Sequence, residues 1–306
     1  MFSIFNKPQP PREDGPPAPV RTLVAWNANS LHTRIERNRA EVSNFLKSHT
    51  PDVVFISEVR FPAAGGPFKK DDGKPRTRGA LSSATAQLAT EAAAIKTFVE
   101  THGYRSYWSL SDSKYAGTGL LVRRACEQPT SVRYSLDDGA AAGAHHPEGR
   151  VILASFSSFE CLGTCTPPRV HSCARPARSL CTPSHLADPT LIHGGSDVPN
   201  NQTKEEGQER RRAWDAQMSR FVQRQRDKPL VWLGDLNVAA EWADVGPDPT
   251  WFREKNGQEA ASSADRGQPG FTANEQLRFG EIRAAGKLVR RRPPLDATPP
   301  TLDTAR

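Results

Sequence analysis

The sequence predicts an α/β sandwich. Apolar runs of strand length alternate along the chain with segments whose apolar residues are spaced three or four apart, as in amphipathic helices. In the middle of the chain, two strand-like runs are separated only by a short polar turn, which is typical of an antiparallel hairpin. Alternating strands and helices bury their apolar faces by packing in layers, and 306 residues suffice for a large core.

The N-terminal part contains two strands and two helices in alternation. Apolar runs predict strands over 21–29 and 51–59. Apolar residues at helical spacing predict amphipathic helices over 34–49 and 82–101. Each predicted strand is thus followed by a helix, as in an open α/β sheet.

The rest of the chain continues this alternation. Three further strands are predicted over 103–111, 118–124 and 148–159. A helix is predicted around 210–226 and another over 273–285. Between these two helices, an apolar strand begins near Lys228 and stops at a Gly-Asp-Leu-Asn sequence.

The two ends of the chain are predicted to be irregular. Residues 1–20 are rich in proline and are expected to form a disordered lead, and residues 290–306 an irregular tail. Residues 21–289 would then form the folded domain. No segment has the apolar length of a membrane span, and the N-terminus lacks the basic start and apolar run of a secretory signal. We therefore expect no membrane partner.

The net charge points to a class of partner. The chain carries a formal charge of +7, which suits a polyanion such as nucleic acid. A solvated basic surface explains the same charge, so the charge alone leaves both interpretations open.

A segment of different composition interrupts the predicted domain at 161–195. It contains four of the five cysteines, and their spacing, C-x3-C-x7-C-x7-C, matches no compact zinc template. A metal knuckle and a set of disulfides are the alternatives that chemistry offers. We expect an irregular excursion instead, arising from translated intron or a splice variant, with a true insertion as the other origin.

Polar side chains stand at the ends of three predicted strands. They are Asn27 and Asn29, Glu58, and Asp235 and Asn237. If the last strand continues, Asp235 and Asn237 lie on the same face because they are two residues apart. Three such strand ends that converge would give the oxygen ligands that Mg²⁺ prefers. Any one of these ends considered alone is better explained as a cap in a turn.

Several motifs together resemble a known family. In order, they are "WNANS", "PDVVFISEVR", "YAGTGLLVRR", "EGRVI", "VPNN", "RRAWD", "GDLNVA" and "GFTANEQLRFGE". This set resembles the exonuclease III type of apurinic/apyrimidinic endonuclease, in the endonuclease/exonuclease/phosphatase superfamily. The resemblance implies a four-layered α/β/β/α sandwich of two mixed sheets with outer helices, and here the last strands of the family are missing.

The resemblance also implies a reaction. This would be Mg²⁺- or Mn²⁺-dependent hydrolysis of the phosphodiester 5′ to an abasic site, as in base excision repair. Possible side activities are 3′-5′ exonuclease and 3′-phosphatase. The implied partner is double-stranded DNA with abasic sites, the implied state is a monomer, and the implied compartment is the nucleus of a eukaryote. Otherwise the cytoplasm, or a mitochondrion, is implied.

Residue roles follow from matching positions in these motifs. Asp235 would activate the attacking water and Asn237 would contact the scissile phosphate. The metal ligands implied are Asn29, Glu58, Asp235 and Asn237. The positions implied to contact DNA are Asn27, Tyr115, Gly117 and Asn200.

The sequence departs from the family at two places. The family's active-site tyrosine is replaced by Asp197, with Cys165 as the rival alignment. No histidine follows His193, whereas the family ends with a Ser-Asp-His turn that completes its site. We therefore expect this chain to cleave weakly, and the alternative function is that of a truncated, catalytically impaired nucleic-acid-binding chain.

Overall fold

The structure is a computed structural model of the chain. It describes residues 16–60, 78–110, 117–137, 139, 146, 148–165, 205–224, 226–241, 244–245 and 262–290. For residues 78–88 and 205–207, only the backbone is described.

Four strands form the first sheet, in the order β1-β2-β4-β3. Their bounds are β1 Leu23–Asn27, β2 Val53–Ser57, β3 Tyr104–Ser109 and β4 Thr118–Arg123. β1 and β2 run parallel and end together at the Asn27–Ser57 pair. β4 is antiparallel to both β2 and β3, so the sheet is mixed.

A second four-stranded sheet has the order β5-β6-β7-β8. Its strands are β5 Ser131–Arg133, β6 Val151–Ser155, β7 Glu160–Thr164 and β8 Leu230–Gly234. The first two pairs are antiparallel, whereas β7 and β8 are parallel.

Five α-helices are present in the described part of the chain. They are α1 Leu31–Arg37, α2 Arg39–His49, α3 Arg78–Thr101, α4 Glu205–Gln223 and α5 Ala273–Ala285. The segment 34–49 was predicted as one helix, but the chain breaks at Asn38, whose backbone leaves the helical region at φ −123° and ψ 32°. None of these helices combines the length and the apolarity that crossing a membrane requires.

The two sheets pack face to face and bury one core between them. Alternate residues of each strand supply this core, because successive side chains of a strand point to opposite faces. Val53 and Phe55 of β2 meet Ile152 and Ala154 of β6 in one apolar cluster.

The opposite faces of both sheets are covered by helices. Val54 and Ile56 of β2 pack with residues of α1, α2 and α3. Val151 and Leu153 of β6 pack with α4 and α5. The layers are therefore helix, sheet, sheet and helix, which confirms the predicted α/β/β/α sandwich of two mixed sheets.

One predicted boundary is wrong at the start of the 161–195 segment. Residues 161–164 belong to β7, in the middle of the second sheet, and Cys161 and Cys165 are fully buried. Gly163 fits here because a Cβ at this position would lie 2.2 Å from the Phe55 ring of the facing sheet. Residues 161–165 are therefore part of the core, and residues 166–204 lie outside the described residues.

The boundary of the N-terminal lead also requires correction. Ala18 forms a bridge with Cys126, donating from its backbone N to Ala125 O at 3.2 Å and accepting from Glu127 N at 2.8 Å. Ordered structure therefore begins before residue 21, and residues 1–15 lie outside the described part. At the other end, Arg290, the first residue of the predicted tail, forms an ion pair with Asp244. Residues 291–306 lie outside the described part of the chain.

The burial of His146 predicts a pH dependence of stability. Its Nδ1 accepts a hydrogen bond from Glu148 N at 3.2 Å, and its ring packs edge-on against Trp214. Burial, assisted by the positive charge of Arg150, lowers the pKa of His146 to about 4. Because the unfolded chain protonates near its usual pKa of about 6.5, the stabilisation is full above about 6.5 and is lost as pH falls toward 4.

We expect the variant His146→Asn, whose amide oxygen can still accept from Glu148 N, to lose this dependence. Between pH 6.5 and 4 the wild-type free energy of unfolding should fall by about 1–3 kcal/mol more than that of the variant. Urea denaturation across this pH range measures the difference. Parallel curves for the two proteins would show that His146 is not the titrating group.

Candidate active site

The carboxyl-terminal ends of β1, β2 and β8 meet at one edge of the sandwich. Asn27 is the last residue of β1, Glu58 directly follows β2, and Asp235 directly follows β8. β1 and β2 end together because they are parallel neighbours, and β8 approaches both strands from the facing sheet. The convergence of strand ends predicted from the sequence is therefore present.

One amide joins the two carboxylates. Asn27 Nδ2 donates to Glu58 Oε1 at 3.2 Å and to Asp235 Oδ2 at 3.1 Å. Asn27 Oδ1 accepts from the backbone N of Asn29 at 3.0 Å, which fixes the orientation of the amide. Asn27 thus links the two sheets through side chains that are 208 residues apart in sequence.

The two carboxylates are poorly exposed, with residue exposures of 5% for Glu58 and 8% for Asp235. Two negative charges held this close repel each other, and removal from water increases that cost. Arg60 supplies one positive charge, since its guanidinium pairs with Glu58 Oε2 and its Nε donates to that oxygen at 2.7 Å. A cation is therefore the ligand that this edge favours.

The donor set fits a hard divalent ion. Glu58 and Asp235 offer carboxylate oxygens, and Asn29 and Asn237 are amides at the same edge, which suits Mg²⁺ with its preference for oxygen ligands and retained water. Among the described residues, no group of three His, Cys, Asp or Glu side chains is arranged to hold a metal. A resident ion here would therefore depend on two carboxylates, amide oxygens and water.

Backbone strain is concentrated at this edge. Five residues other than glycine have positive φ there: Asn29 (46°), Ser30 (82°), Glu58 (47°), Arg60 (53°) and Asn237 (44°). Such conformations cost roughly 1 kcal/mol or more each and cluster at functional sites. Hydrogen bonds between the strand ends hold them, including Ser30 N to Glu58 O at 2.8 Å.

β8 does not continue through Asp235 and Asn237, so the condition for placing both side chains on one face of the strand is not met. The strand stops at Gly234, whose φ of 125° is a conformation that glycine adopts readily and other residues rarely do. A Cβ at this position would also lie only 2.1 Å from Thr164 O. The chain therefore turns away from the sheet before Asp235. Asp235 is buried at the site, whereas Asn237 is half-buried in a loop that follows it.

Gly117 lies beside the same edge. Its carbonyl accepts from Val59 N at 3.1 Å, and its φ is 99°. A Cβ at this position would lie 2.9 Å from the Val59 side chain, so glycine lets β4 approach the segment that carries Glu58. Three residues of the sequence predictions lie outside the described residues: Tyr115 and Asn200, which are predicted to contact DNA, and Asp197.

Cys165, the rival to Asp197 in alignment, is also placed at the site. It follows β7 and is fully buried, and the backbone of Glu58 forms a hydrogen bond with its thiol. Burial raises the pKa of its thiol to about 12. Cys165 is therefore an uncharged group of the apolar core that contacts the backbone of Glu58.

Sequence reasoning missed three residues that touch the site. Arg60 forms an ion pair with Glu58. The only indication of this in the sequence was that Arg60 lies two residues after Glu58. Arg211 donates to Asn237 O, and Gly270 contacts the same carbonyl, although both lie within motifs that had no assigned role. Their proximity to the site could not be found by counting along the chain.

Comparison with known proteins gives consistent relatives. Residues 24–279 match the Endonuclease/Exonuclease/phosphatase family. A "DNA-(apurinic or apyrimidinic site) endonuclease" of Arabidopsis thaliana is 37% identical over 274 residues, covering 87% of this chain and 64% of that protein. A protein of the same name from Plasmodium falciparum is 31% identical over 285 residues, covering 88% of this chain and 40% of that protein.

A solved structure confirms the fold. The AP endonuclease LMAP of Leishmania major aligns with a TM-score of 0.50 at 15% identity, covering 87% of this chain and 66% of that one. The chain spans less than two thirds of the length of each of the two curated relatives, from Arabidopsis thaliana and Plasmodium falciparum. The resemblance to apurinic/apyrimidinic endonucleases drawn from the motifs is confirmed, and the chain belongs to the Endonuclease/Exonuclease/phosphatase family.

Proposed function

We propose that this chain is a divalent-metal-dependent phosphodiesterase that hydrolyses the DNA backbone 5′ to abasic sites. The observation that carries the proposal is the Asn27 amide, which holds Glu58 and Asp235 together across two sheets. The printed names of the relatives supply the substrate class. The family generally depends on a divalent metal, and the proposal names Mg²⁺ or Mn²⁺.

The residues at the edge can divide the reaction between them. Asp235 would accept a proton from the attacking water, a role that needs a carboxylate held rigidly near phosphorus. Asn237 would donate from its amide to a phosphate oxygen. Asn29 and Glu58, with Asp235 and Asn237, would hold the metal. A bound Mg²⁺ would supply charge stabilisation for the phosphate oxygens and the leaving 3′ oxygen.

The charge of the chain supports binding of the duplex. A net charge of +7 would attract the phosphate backbone, and release of counterions would make binding sensitive to salt. Arg60 is a basic group at the site itself. The additional 3′-5′ exonuclease and 3′-phosphatase activities, the monomeric state and the nuclear compartment remain predictions.

Metal removal tests the proposal directly. We expect a duplex carrying a stable abasic analogue to be cut when the full chain is incubated with MgCl₂ or MnCl₂, and to stay intact in EDTA. The length of the end-labelled product distinguishes a cut on the 5′ side from one on the 3′ side. Progressive shortening from a 3′ end would reveal exonuclease activity instead.

A matched duplex without the abasic site is the control. Salt-sensitive binding of the abasic duplex without cleavage in either metal would favour the alternative, a catalytically impaired nucleic-acid-binding chain. Full cleavage in EDTA would exclude a metal-dependent mechanism at this edge.

A further inference from the structure

A buried ion cluster lies behind the loop that follows β8. We define it as Arg211 and Asp215 of α4 with Glu275 of α5, and these residues are 1%, 3% and 0% exposed. Arg211 Nε donates to Asp215 Oδ1 at 2.8 Å, and its Nη1 lies 3.8 Å from Glu275 Oε1. The cluster therefore joins the two helices that cover the second sheet.

The ion cluster reaches the site through the backbone of Asn237. Arg211 Nη1 donates to Asn237 O at 2.9 Å. From the other side, a Cβ at Gly270 would lie 3.0 Å from that same carbonyl oxygen. Glu275 Oε2 accepts from Gly270 N at 2.9 Å, and Gly270 O accepts from Ala239 N at 2.8 Å.

These contacts hold the loop after β8 between Arg211 of α4 and the turn at Gly270. Asn237 adopts φ 44°, a left-handed conformation that is unfavourable for residues other than glycine and needs its surroundings to hold it. Arg211 fixes its carbonyl by a charge-assisted hydrogen bond, and the Gly270 turn fixes the residue two positions later. The backbone of Asn237 is thereby held in place by residues of α4 and of the Gly270 turn.

Stability alone does not account for such a cluster. Buried ion pairs contribute little net stability, because desolvation of the charges offsets their attraction, and apolar residues of similar volume often do as well. The planar guanidinium instead offers several donors in a fixed geometry, which lets one side chain serve Asp215 and Asn237 together.

We propose that the ion cluster, together with Gly270, positions Asn237 for catalysis, with Arg211 as the positioning residue; this rests on the proposed function. The motifs "RRAWD" and "GFTANEQLRFGE" then have a shared physical role. The first contributes Arg211 and Asp215 and the second contributes Gly270 and Glu275, and these four residues build the rigid support that sets the angle of an amide at the scissile phosphate.

The first test compares Arg211→Lys with Arg278→Lys. Arg278 Nε donates to the same Asp215 carboxylate, at 2.8 Å from Oδ2. Arg278→Lys therefore alters an arginine–Asp215 ion pair as Arg211→Lys does, and it serves as the matched control. A lysine at 211 keeps the charge but lacks the fork that serves two acceptors. We expect kcat to fall about 10- to 100-fold in Arg211→Lys with KM nearly constant, since small displacements cost this much. Arg278→Lys should stay within about 3-fold of wild type. Equal losses in both variants would overturn the positioning role.

A second readout does not depend on cleavage. Protein labelled with ¹⁵N-asparagine gives backbone and side-chain amide resonances of its asparagines in an NMR spectrum. The backbone and side-chain resonances of Asn237 are identified because they disappear in Asn237→Ser. We expect these resonances to shift or broaden in Arg211→Lys and to stay in place in Arg278→Lys. If the wild-type chain cleaves nothing, the proposed function fails while this comparison still decides the positioning. Unchanged Asn237 resonances in a folded Arg211→Lys variant would overturn it.

A substitution at Gly270 perturbs the same carbonyl without altering a charge, with Gly103 as its control, and it serves if Arg211→Lys does not fold. Gly270→Ala places a methyl group against Asn237 O, whereas Gly103→Ala meets nothing within 4 Å. Both positions have similar left-handed φ values, 86° and 80°, so both substitutions carry the same backbone strain. We expect only Gly270→Ala to move the Asn237 resonances and to lower kcat. Equal effects of the two substitutions would show that strain alone is responsible.

Discussion

Replacing Asp235 by asparagine is expected to lower the rate of abasic-site cleavage by about 10²- to 10⁴-fold, the usual cost of losing a general base. The substitution keeps the size and the acceptor oxygen that Asn27 Nδ2 bonds at 3.1 Å, so the two sheets stay linked. Only the negative charge and the proton-accepting capacity are removed. Single-turnover cleavage of an abasic duplex in MgCl₂ measures the loss.

The same variant should not be less stable than the wild type. Asp235 and Glu58 are buried carboxylates that share one amide donor, so removing one charge relieves their repulsion. We expect the melting temperature of Asp235→Asn to be equal to that of the wild type or higher. Asp227→Asn, on an exposed acid, makes the same charge change away from the site. A fall in activity that merely matched this control would contradict the role of Asp235.

Glu58→Gln is expected to abolish metal-dependent cleavage, with a loss of about 10³-fold or more, because removing the charge of one of the two proposed carboxylate ligands would weaken metal binding and charge stabilisation. Binding of Mn²⁺, followed by electron paramagnetic resonance, should weaken in parallel. The Arg60 guanidinium would lose its ion-pair partner at the same time, so this positive charge becomes available to other anions.

An exposed carboxylate again provides the comparison. Glu100→Gln changes the net charge equally on the last part of α3 and should leave both Mn²⁺ affinity and cleavage unchanged. Wild-type Mn²⁺ affinity in Glu58→Gln would show that the ion binds elsewhere, even if cleavage were lost.

The sequence determined the layers of this protein by itself. The continuous apolar run Val53–Ile56 in β2 predicts a strand covered on both faces, and all of its residues are buried. Helix α5 begins and ends at the predicted residues, because Thr272 and Glu275 form a capping box that fixes its start locally. Strand ends carrying Asn27, Glu58 and Asp235 were also evident, since each follows an apolar run.

Only the tertiary structure decided how these parts meet. Period-2 and period-3.6 patterns identify which face is buried but not its partner, so the Asn27 contact to both carboxylates could not be derived from spacing. The end of β8 at Gly234 depends on the approach of Thr164 O in the neighbouring strand, and Gly163 depends on the Phe55 ring of the facing sheet.

The arginines at the start of the "RRRAWD" sequence show the same limit. Arg210, Arg211 and Arg212 are chemically identical, yet Arg210 is exposed and Arg211 is fully buried. The difference arises because the helix turns Arg211 toward Asp215, Glu275 and the Asn237 carbonyl, while its neighbours point to other sides. Side-chain chemistry was thus fixed by the sequence, whereas the long-range packing that gives one arginine a role at the site was fixed by the fold.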